Sequence, residues 1–175
     1  TGSAGPSIGH GLSSAPTFII AKTLDTVAKW RVFQSSLGGT KYLNFSDTDA
    51  AGTSSNIWND FTPTATVFQV GSDLSPSSSV IAYCFNDVAG FSKMGSYTGN
   101  GSTQSITGLG FQPSWLLIKN MDSARGWQMF DSSRGANQLL FANSNSAESS
   151  ESAGTSLSSF DSDGFTVGSG NGVNE

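Results

Sequence analysis

The chain has 175 residues, of which only 12% are charged and 36% are apolar with glycine left out, and its formal net charge is −5 at pH 7. This composition is able to form a core and is not that of a disordered chain. Eight lysines and arginines stand against thirteen aspartates and glutamates without clustering, which argues against nucleic-acid binding. Apolar runs such as 18–21 are far too short for a membrane helix, and no signal peptide is visible.

Short apolar segments separated by Gly, Ser and Asn follow one another along the chain, which predicts β-strands with turns between them. In chain order the predicted strands are 18–22, 30–34, 42–45, 66–70, 80–85, a weaker 94–97, 115–119, 127–130, 139–141 and 165–167. No segment shows a sustained 3.6-residue apolar period, so we expect very little helix. The Ser-rich stretch 142–159 is predicted to be a long surface loop or a poorly ordered one. The fold class is therefore all-β, a β-sandwich.

An internal repeat with an offset of 97 residues is the strongest pattern in the sequence. Residues 1–78 align with residues 98–175 without a gap, and 19 of the 78 pairs are identical. We predict a first β repeat at 1–97 and a second, truncated repeat at 98–175, and we expect the two to pack as one unit.

The second copy has no counterpart of residues 79–97, which include the predicted strand 80–85. We expect the chain to be a fragment of a longer repeat protein, and the alternative is a natural terminus with one strand fewer. The sheet that would receive this strand should have an open edge, filled by downstream residues or by a neighbouring subunit.

Groups suited to catalysis are scarce. The one histidine, His10, lies at a strand entry, and the only glutamates are Glu148 and Glu151 in the Ser-rich stretch and Glu175 at the end. Glycoside hydrolysis needs paired carboxylates, so a glycosidase is disfavoured. The single Cys84 stands in a strand-like run and is predicted to be a small buried hydrophobe. We predict no catalytic residue and no cofactor.

Two acidic turns resemble oxygen-ligand calcium loops without having their full spacing. Asp47 and Asp49 form one and Asp161 and Asp163 the other, and the two do not align across the repeat. Asx-turn chemistry explains both more simply, so Asp47 and Asp49 are weak calcium candidates and no metal site is predicted.

Tryptophans are the best candidates for ligand binding. Trp30 and Trp127 recur at the same repeat position, which favours burial in the core. Trp58 has polar neighbours, Asn59 and Asp60, and an aromatic face beside hydrogen-bonding groups is what sugar stacking requires. These three residues are weak candidates for a ligand site, and peripheral packing of Trp58 is the competing interpretation.

Several segments together resemble a repeat-containing, concanavalin A-like β-sandwich domain of tailed-bacteriophage structural proteins. They are HGL at 10–12, Pro16, FIIAK at 18–22, WRVF at 30–33, IAYCF at 81–85 and GFSKMGSYTGNG at 90–101. The resemblance covers essentially the whole chain and implies a sandwich of the concanavalin A-like, jelly-roll type. It brings no catalytic residues with it.

The resemblance implies a non-enzymatic virion structural protein at the virion surface, part of a tail fibre, appendage or capsid decoration, that contacts host surface glycans. Its expected partners are other virion subunits or copies of itself, with no nucleic acid and no membrane insertion. The alternative is a secreted bacterial carbohydrate-binding or adhesion module. A third possibility, an enzyme acting on surface polysaccharide, is disfavoured because carboxylate pairs are missing.

Overall fold

The computed structural model describes residues 5–74, 79–152 and 154–175. Strands make up 34% of the chain and helix 2%, and the strands pair in antiparallel sheets, so the predicted all-β fold is confirmed. The chain forms two compact units. Unit 1 takes the chain up to Phe45 together with Ala51–Val88 and Ser92–Gly95, and unit 2 takes Ser46–Ala50, Ala89–Phe91 and Ser96–Glu175.

Unit 1 is a small sandwich of two antiparallel sheets. Its elements among the described residues are β1 (Ser7–Gly9), β2 (Phe18–Thr23), β3 (Arg31–Gln34), β4 (Lys41–Asn44), β5 (Gly52–Thr53), α1 (Ser55–Trp58), β6 (Val67–Gln69) and β7 (Val80–Phe85). One sheet has the order β5-β4-β3-β2-β7 and the other pairs β1 with β6. The core lies between them, where Ile19 and Phe33 of the larger sheet pack with Phe68 and Val70.

Unit 2 repeats this plan with its own core. Its strands among the described residues are β8 (Gln104–Thr107), β9 (Trp115–Ile118), β10 (Gln128–Asp131), β11 (Gln138–Phe141), β12 (Ser149–Ser150), β13 (Leu157–Asp161) and β14 (Gly164–Val167). The two sheets have the orders β12-β11-β10-β9 and β13-β14-β8. Leu116 and Phe130 of the first sheet pack with Phe165 and Val167 of the second.

The 97-residue repeat of the sequence is also a repeat of structure. With this offset β3, β4 and β5 map onto β10, β11 and β12 residue for residue, and β2 and β6 begin where β9 and β14 begin. Gly38 and Gly135 occupy the same turn position with φ of 73° and 99°, a conformation that favours glycine. The aligned pairs at 1–4 and 75–78 lie outside the described residues.

The two units differ in two strands. Pro63 of unit 1 is the repeat mate of Phe160 in β13, and because proline cannot donate to a ladder, unit 1 has no strand there within its described residues. In the sheet orders, β2 lies between β3 and β7, and β9 lies next to β10 at the end of its sheet; the positions equivalent to β7 would follow residue 175.

Two predictions about strands need correction, and some strands were not predicted. Residues 94–97 do not form a strand. The stretch 142–159 is not wholly loop, because it contains β12 and the start of β13, whose first residue, Leu157, is buried in the core of unit 2. The polar strands β1 and β8 were not predicted, because short strands with one solvated face carry little apolar signal. The close packing of the two repeats as one unit stays a prediction.

Candidate functional site

Trp58 lies in the core of unit 1, so its ring is not accessible for the sugar stacking for which it was a weak candidate, and it is packed more deeply than the competing interpretation of peripheral packing implies. The hydroxyl of Ser54 caps α1 by accepting a hydrogen bond from Asn56 N at 3.1 Å, and this single turn directs Ile57 and Trp58 inward. Trp58 is 1% exposed, and its ring meets that of Phe33 edge to face with centroids 6.0 Å apart.

Asn59 and Asp60 do not form a ligand site with Trp58 either. Both follow α1 with positive φ, 57° and 53°, which carries the chain out of the helical turn. The Asn59 amide donates to Gln69 Oε1 at 2.8 Å and so attaches this turn to β6. Asp60 is exposed, but the indole of Trp58 is buried and presents no face to a ligand beside it.

The weak calcium candidates Asp47 and Asp49 belong to a turn that also receives a lysine. Asp49 N donates to Asp47 Oδ1 at 3.0 Å, the Asx-turn bond that the sequence suggested. The Lys119 ammonium donates to the carbonyls of Asn120 at 2.6 Å and Thr48 at 3.3 Å. Burial lowers the pKa of Lys119, and the charges of Asp47 and Asp49 oppose that shift. The chain itself thus supplies a cation to this acidic turn.

The second acidic turn is engaged in structural hydrogen bonds. Asp161 accepts from the hydroxyls of Ser159 and Thr166, both at 2.7 Å, and these bonds hold the pKa of Asp161 below its usual value. Asp163 accepts from the backbone N of Gly108 at 3.0 Å and of Gly110 at 2.7 Å. Among the residues that the structure describes, no group of three or more His, Cys, Asp and Glu side chains is placed to hold a metal ion.

His10 and Cys84 also have structural surroundings. His10 Nδ1 accepts from Leu12 N at 3.1 Å, so the proton is on Nε2, which lies 3.1 Å from the carbonyl oxygen of Thr64. Cys84 packs against the core of unit 1, and burial raises the pKa of its thiol, which disfavours the reactive thiolate.

A row of aromatic side chains on the outer face of the large sheet of unit 1 is the strongest candidate site. We call Phe18, Trp30, Tyr83 and Phe85 the aromatic face. Side chains alternate across a strand, so with Ile19 and Cys84 directed to the core, Phe18 of β2 and its register partner Phe85 of β7 point outward. Tyr83 is two residues from Phe85 and therefore lies on the same side.

The rings of the aromatic face form two neighbouring pairs. Phe18 and Phe85 have centroids 6.2 Å apart with an interplanar angle of 52°, and Trp30 and Tyr83 lie 6.4 Å apart at 28°, close to parallel. Tyr83 and Phe85 are 47% and 45% exposed, while Phe18 and Trp30 are half-buried. Trp30 is therefore less completely buried than its repeat mate Trp127, which is 2% exposed, as predicted.

Polar and charged groups border the aromatic face beyond Phe85. Asn86 donates to Ser14 Oγ at 2.7 Å, and the Asp87 carboxylate accepts from Thr17 Oγ1 at 3.2 Å. Asp87 also accepts from Met94 N at 3.0 Å and pairs with the Lys93 ammonium at 2.7 Å. Apolar ring surface beside fixed hydrogen-bonding groups is the combination found at small-ligand sites.

Replacing Asp87 with asparagine should lower the free energy of unfolding of unit 1 by about 1 kcal/mol at pH 7, since the charge-assisted bonds are partly exposed. Burial tends to raise the pKa of Asp87, but the bonds from Lys93, Met94 and Thr17 outweigh it, and the pKa lies below its usual value. A depressed carboxyl pKa stabilises the fold at neutral pH, and this contribution is lost as the pH falls through and below the ordinary aspartate pKa.

Urea unfolding of the wild type and the Asp87→Asn variant between about pH 7 and pH 3 measures this effect. The difference between their free energies of unfolding should become smaller as the pH falls. Asp73→Asn, at an exposed aspartate of the same unit, is the control. A difference that stays constant down to pH 3 would contradict the assigned role of Asp87.

No helix among the described residues is both long and apolar enough to cross a bilayer. A family model described as "Domain of unknown function (DUF7483)" matches residues 1–135 and again residues 101–175, and two matches to one model agree with the internal repeat. Neither the curated proteins nor the solved structures contain a significant match to the chain.

Proposed function

We propose that this chain, which belongs to the DUF7483 family, is a non-enzymatic structural module that contacts surface glycans through its aromatic face. In this proposal the module lies on the virion surface, and the resemblance of its strand and turn segments to tailed-phage structural proteins supports that location. It would serve there as part of a tail fibre, appendage or capsid decoration.

The exposed rings of the aromatic face carry the proposal. Exposed apolar patches on soluble domains commonly mark interaction sites. The C–H groups of a pyranose ring carry partial positive charge and pack on the electron-rich face of an aromatic ring, while its hydroxyls seek hydrogen-bonding groups at the side. Tyr83 and Phe85 offer such faces, and Asn86, next to Phe85 at the border, offers a polar amide group.

The affinity of one aromatic face should be low. One ring contact contributes about 0.5–1.5 kcal/mol, so two contacts and a few hydrogen bonds correspond to a Kd of about 1 mM. An appendage that presents many copies raises the overall avidity by about 10²–10⁴ without any new contact. Weak single sites in a repeated structure therefore suit attachment.

The proposal of a non-enzymatic role has support in the surroundings of the titratable groups. The described carboxylates with assigned partners, such as Asp87, Asp161 and Asp163, bond to backbone amides, hydroxyls and a lysine within their own unit. Catalysis needs titratable groups that converge on a site and are free to exchange protons with a substrate.

Binding to an array of bacterial surface glycans tests the proposal. The wild-type chain, coupled to beads to restore multivalency, should bind a defined subset of glycans. The Tyr83→Ser/Phe85→Ser variant should lose about tenfold or more in affinity, because both exposed rings are removed. Trp115→Ser is the matched control, since Trp115 is a similarly exposed aromatic of unit 2, 53% accessible.

Equal binding by the wild type and the double variant, with both folded by circular dichroism, would contradict a role of the aromatic face. Loss of binding only in Trp115→Ser would move the site to unit 2. The secreted bacterial carbohydrate-binding or adhesion module remains the second proposal because it would use the same rings. Genes for virion proteins beside the coding sequence support the first proposal, and genes for secreted polysaccharide-degrading enzymes support the second.

A further inference from the structure

The chain contains two Asn-Gly pairs, Asn100-Gly101 and Asn171-Gly172, which have different surroundings in unit 2. In such a pair the backbone nitrogen of the glycine can attack the side-chain carbonyl carbon of the asparagine, because the two groups are close in one chain and glycine has no side chain that hinders the approach. The attack requires a backbone N–H that is free to lose its proton and an asparagine side chain that is free to turn.

The first pair is held by hydrogen bonds at both reacting groups. Gly101 N donates to Asn174 O at 2.8 Å, so the nucleophile is engaged. Asn100 Oδ1 accepts from Ser102 N at 2.8 Å, which holds the side chain in an Asx turn. Asn100 N in turn donates to Asn174 Oδ1 at 2.9 Å. These bonds have to break before attack, so the folded chain protects Asn100.

The second pair lies in a turn whose hydrogen bonds leave it out. Val173 N and Asn174 N both donate to Gly170 O, at 3.1 Å and 2.9 Å. Asn171 and Gly172 are the central residues of this turn. Within the described part of the chain, neither Gly172 N nor the exposed side-chain amide of Asn171 has a hydrogen-bond partner. Both reacting groups are therefore available in the folded state.

Packing explains why a glycine follows Asn171. A Cβ atom at position 172 would lie 1.6 Å from Gln128 Nε2 and 2.9 Å from Gln128 Cδ. The Gln128 side chain is buried and has little room to move away. The packing of unit 2 thus requires, directly after Asn171, the residue that hinders the attack least.

We propose that Asn171 is a site of spontaneous deamidation and isoaspartate formation. Gly172 N loses its proton to solvent base and bonds to Asn171 Cγ, the C–N bond of the side-chain amide breaks, and the amide nitrogen leaves as ammonia with a proton from solvent. One water molecule then opens the resulting succinimide ring at either carbonyl. The product is aspartate or isoaspartate, and no oxidant or reductant takes part. The modification does not depend on glycan binding.

Isoaspartate at position 171 would disturb the closure of unit 2, because it adds a methylene group to the backbone of the turn. Asn174, three residues further on, is 1% exposed. Its Oδ1 accepts from Asn100 N and from Gln104 Nε2, the latter at 2.7 Å. Its Nδ2 donates to Gly168 O at 2.7 Å and to Ser102 O. A displaced Asn174 loses these bonds together, and buried polar groups without partners are costly.

Peptide mapping by mass spectrometry tests the proposal on the folded 175-residue chain, incubated under mildly alkaline conditions. Asn171 should convert to a mixture in which isoaspartate, detected by labelling with protein isoaspartyl methyltransferase, is the larger product. Conversion of Asn100 should be slower by about tenfold or more, because its hydrogen bonds have to open first. In urea, where the fold protects neither pair, the two rates should converge.

Asn171→Gln is the matched variant, because glutamine would have to close a larger ring and reacts far more slowly. The isoaspartate form of the wild type carries an added negative charge and can be separated by anion exchange. In that form the Gly101 amide, which donates to Asn174 O, should exchange its hydrogen about tenfold faster than in the unmodified chain. The Asn171→Gln chain should keep its protection after the same incubation.

The proposal is overturned if Asn100 reacts as fast as Asn171 in the folded chain, or if Asn171 stays unmodified while both pairs react in urea. A separated isoaspartate form in which the Gly101 amide keeps its full protection would reject the effect on unit 2. An equal loss of protection in the Asn171→Gln chain would likewise count against Asn171 as its cause.

Discussion

Replacing Trp127 with alanine should lower the free energy of unfolding of unit 2 by about 3–5 kcal/mol. Its indole is 2% exposed, and its carbonyl accepts a hydrogen bond from Ala142 N at 2.9 Å, so the residue joins β10 to the end of β11. Truncation would remove a large buried ring and leave a cavity that neighbouring strands cannot close.

Trp30 is the natural control, since it holds the same repeat position in unit 1. Its carbonyl accepts the equivalent bond from Phe45 N at 2.9 Å, but its ring is only half-buried and stacks on Tyr83. Trp30→Ala should therefore cost only about 1–2 kcal/mol. Amide hydrogen exchange measures the free energy of opening at each amide, so it gives a separate value for each unit when the two unfold independently. Equal losses for the two variants would show that the repeat mates are packed alike, contrary to the structure.

Replacing Trp58 with alanine should lower the free energy of unfolding of unit 1 by about 3–5 kcal/mol, because the ring is 1% exposed and fills the space beside Phe33. Its Nε1 is buried without a hydrogen-bond partner among the described residues. Phenylalanine at this position would therefore sacrifice volume but no hydrogen bond, and Trp58→Phe should cost only about 1–2 kcal/mol.

Chemical denaturation of the wild type, Trp58→Phe and Trp58→Ala, followed by far-ultraviolet circular dichroism, measures the three free energies of unfolding, which should decrease in that order. Glycan binding of Trp58→Phe should match that of the wild type, because the indole is inaccessible. A loss below about 1 kcal/mol for Trp58→Ala would place the ring at the surface and restore its candidacy as a stacking platform.

Most of the β-strands could be predicted from the sequence because the same apolar segments occur in both repeats. The strand predicted at 80–85 has the same bounds as β7, and the strand predicted at 30–34 differs from β3 only in its first residue. Polar β1 and β8 could not be recognised, since their pairing depends on partners distant in the chain: β1 joins β6, and β8 joins β14.

The candidate site was the harder prediction because a continuous apolar run does not reveal which side chains face the core. In β7 the run Val-Ile-Ala-Tyr-Cys-Phe allows either parity, and only the register with β2 sends Tyr83 and Phe85 outward. Trp58 misled for the opposite reason. The residues that follow it, Asn59 and Asp60, are polar. The turn of α1 nevertheless directs the ring of Trp58 into the core, together with the side chain of Ile57.

NMR chemical-shift mapping during titration with the glycan preferred on the array tests the central claim most directly. The account predicts perturbations centred on Phe18, Trp30, Tyr83 and Phe85, with smaller changes at Asn86 and Asp87 and none in the core around Trp58. Perturbations confined to unit 2, or centred on the turn of Asp47 and Asp49, would contradict glycan binding by the aromatic face.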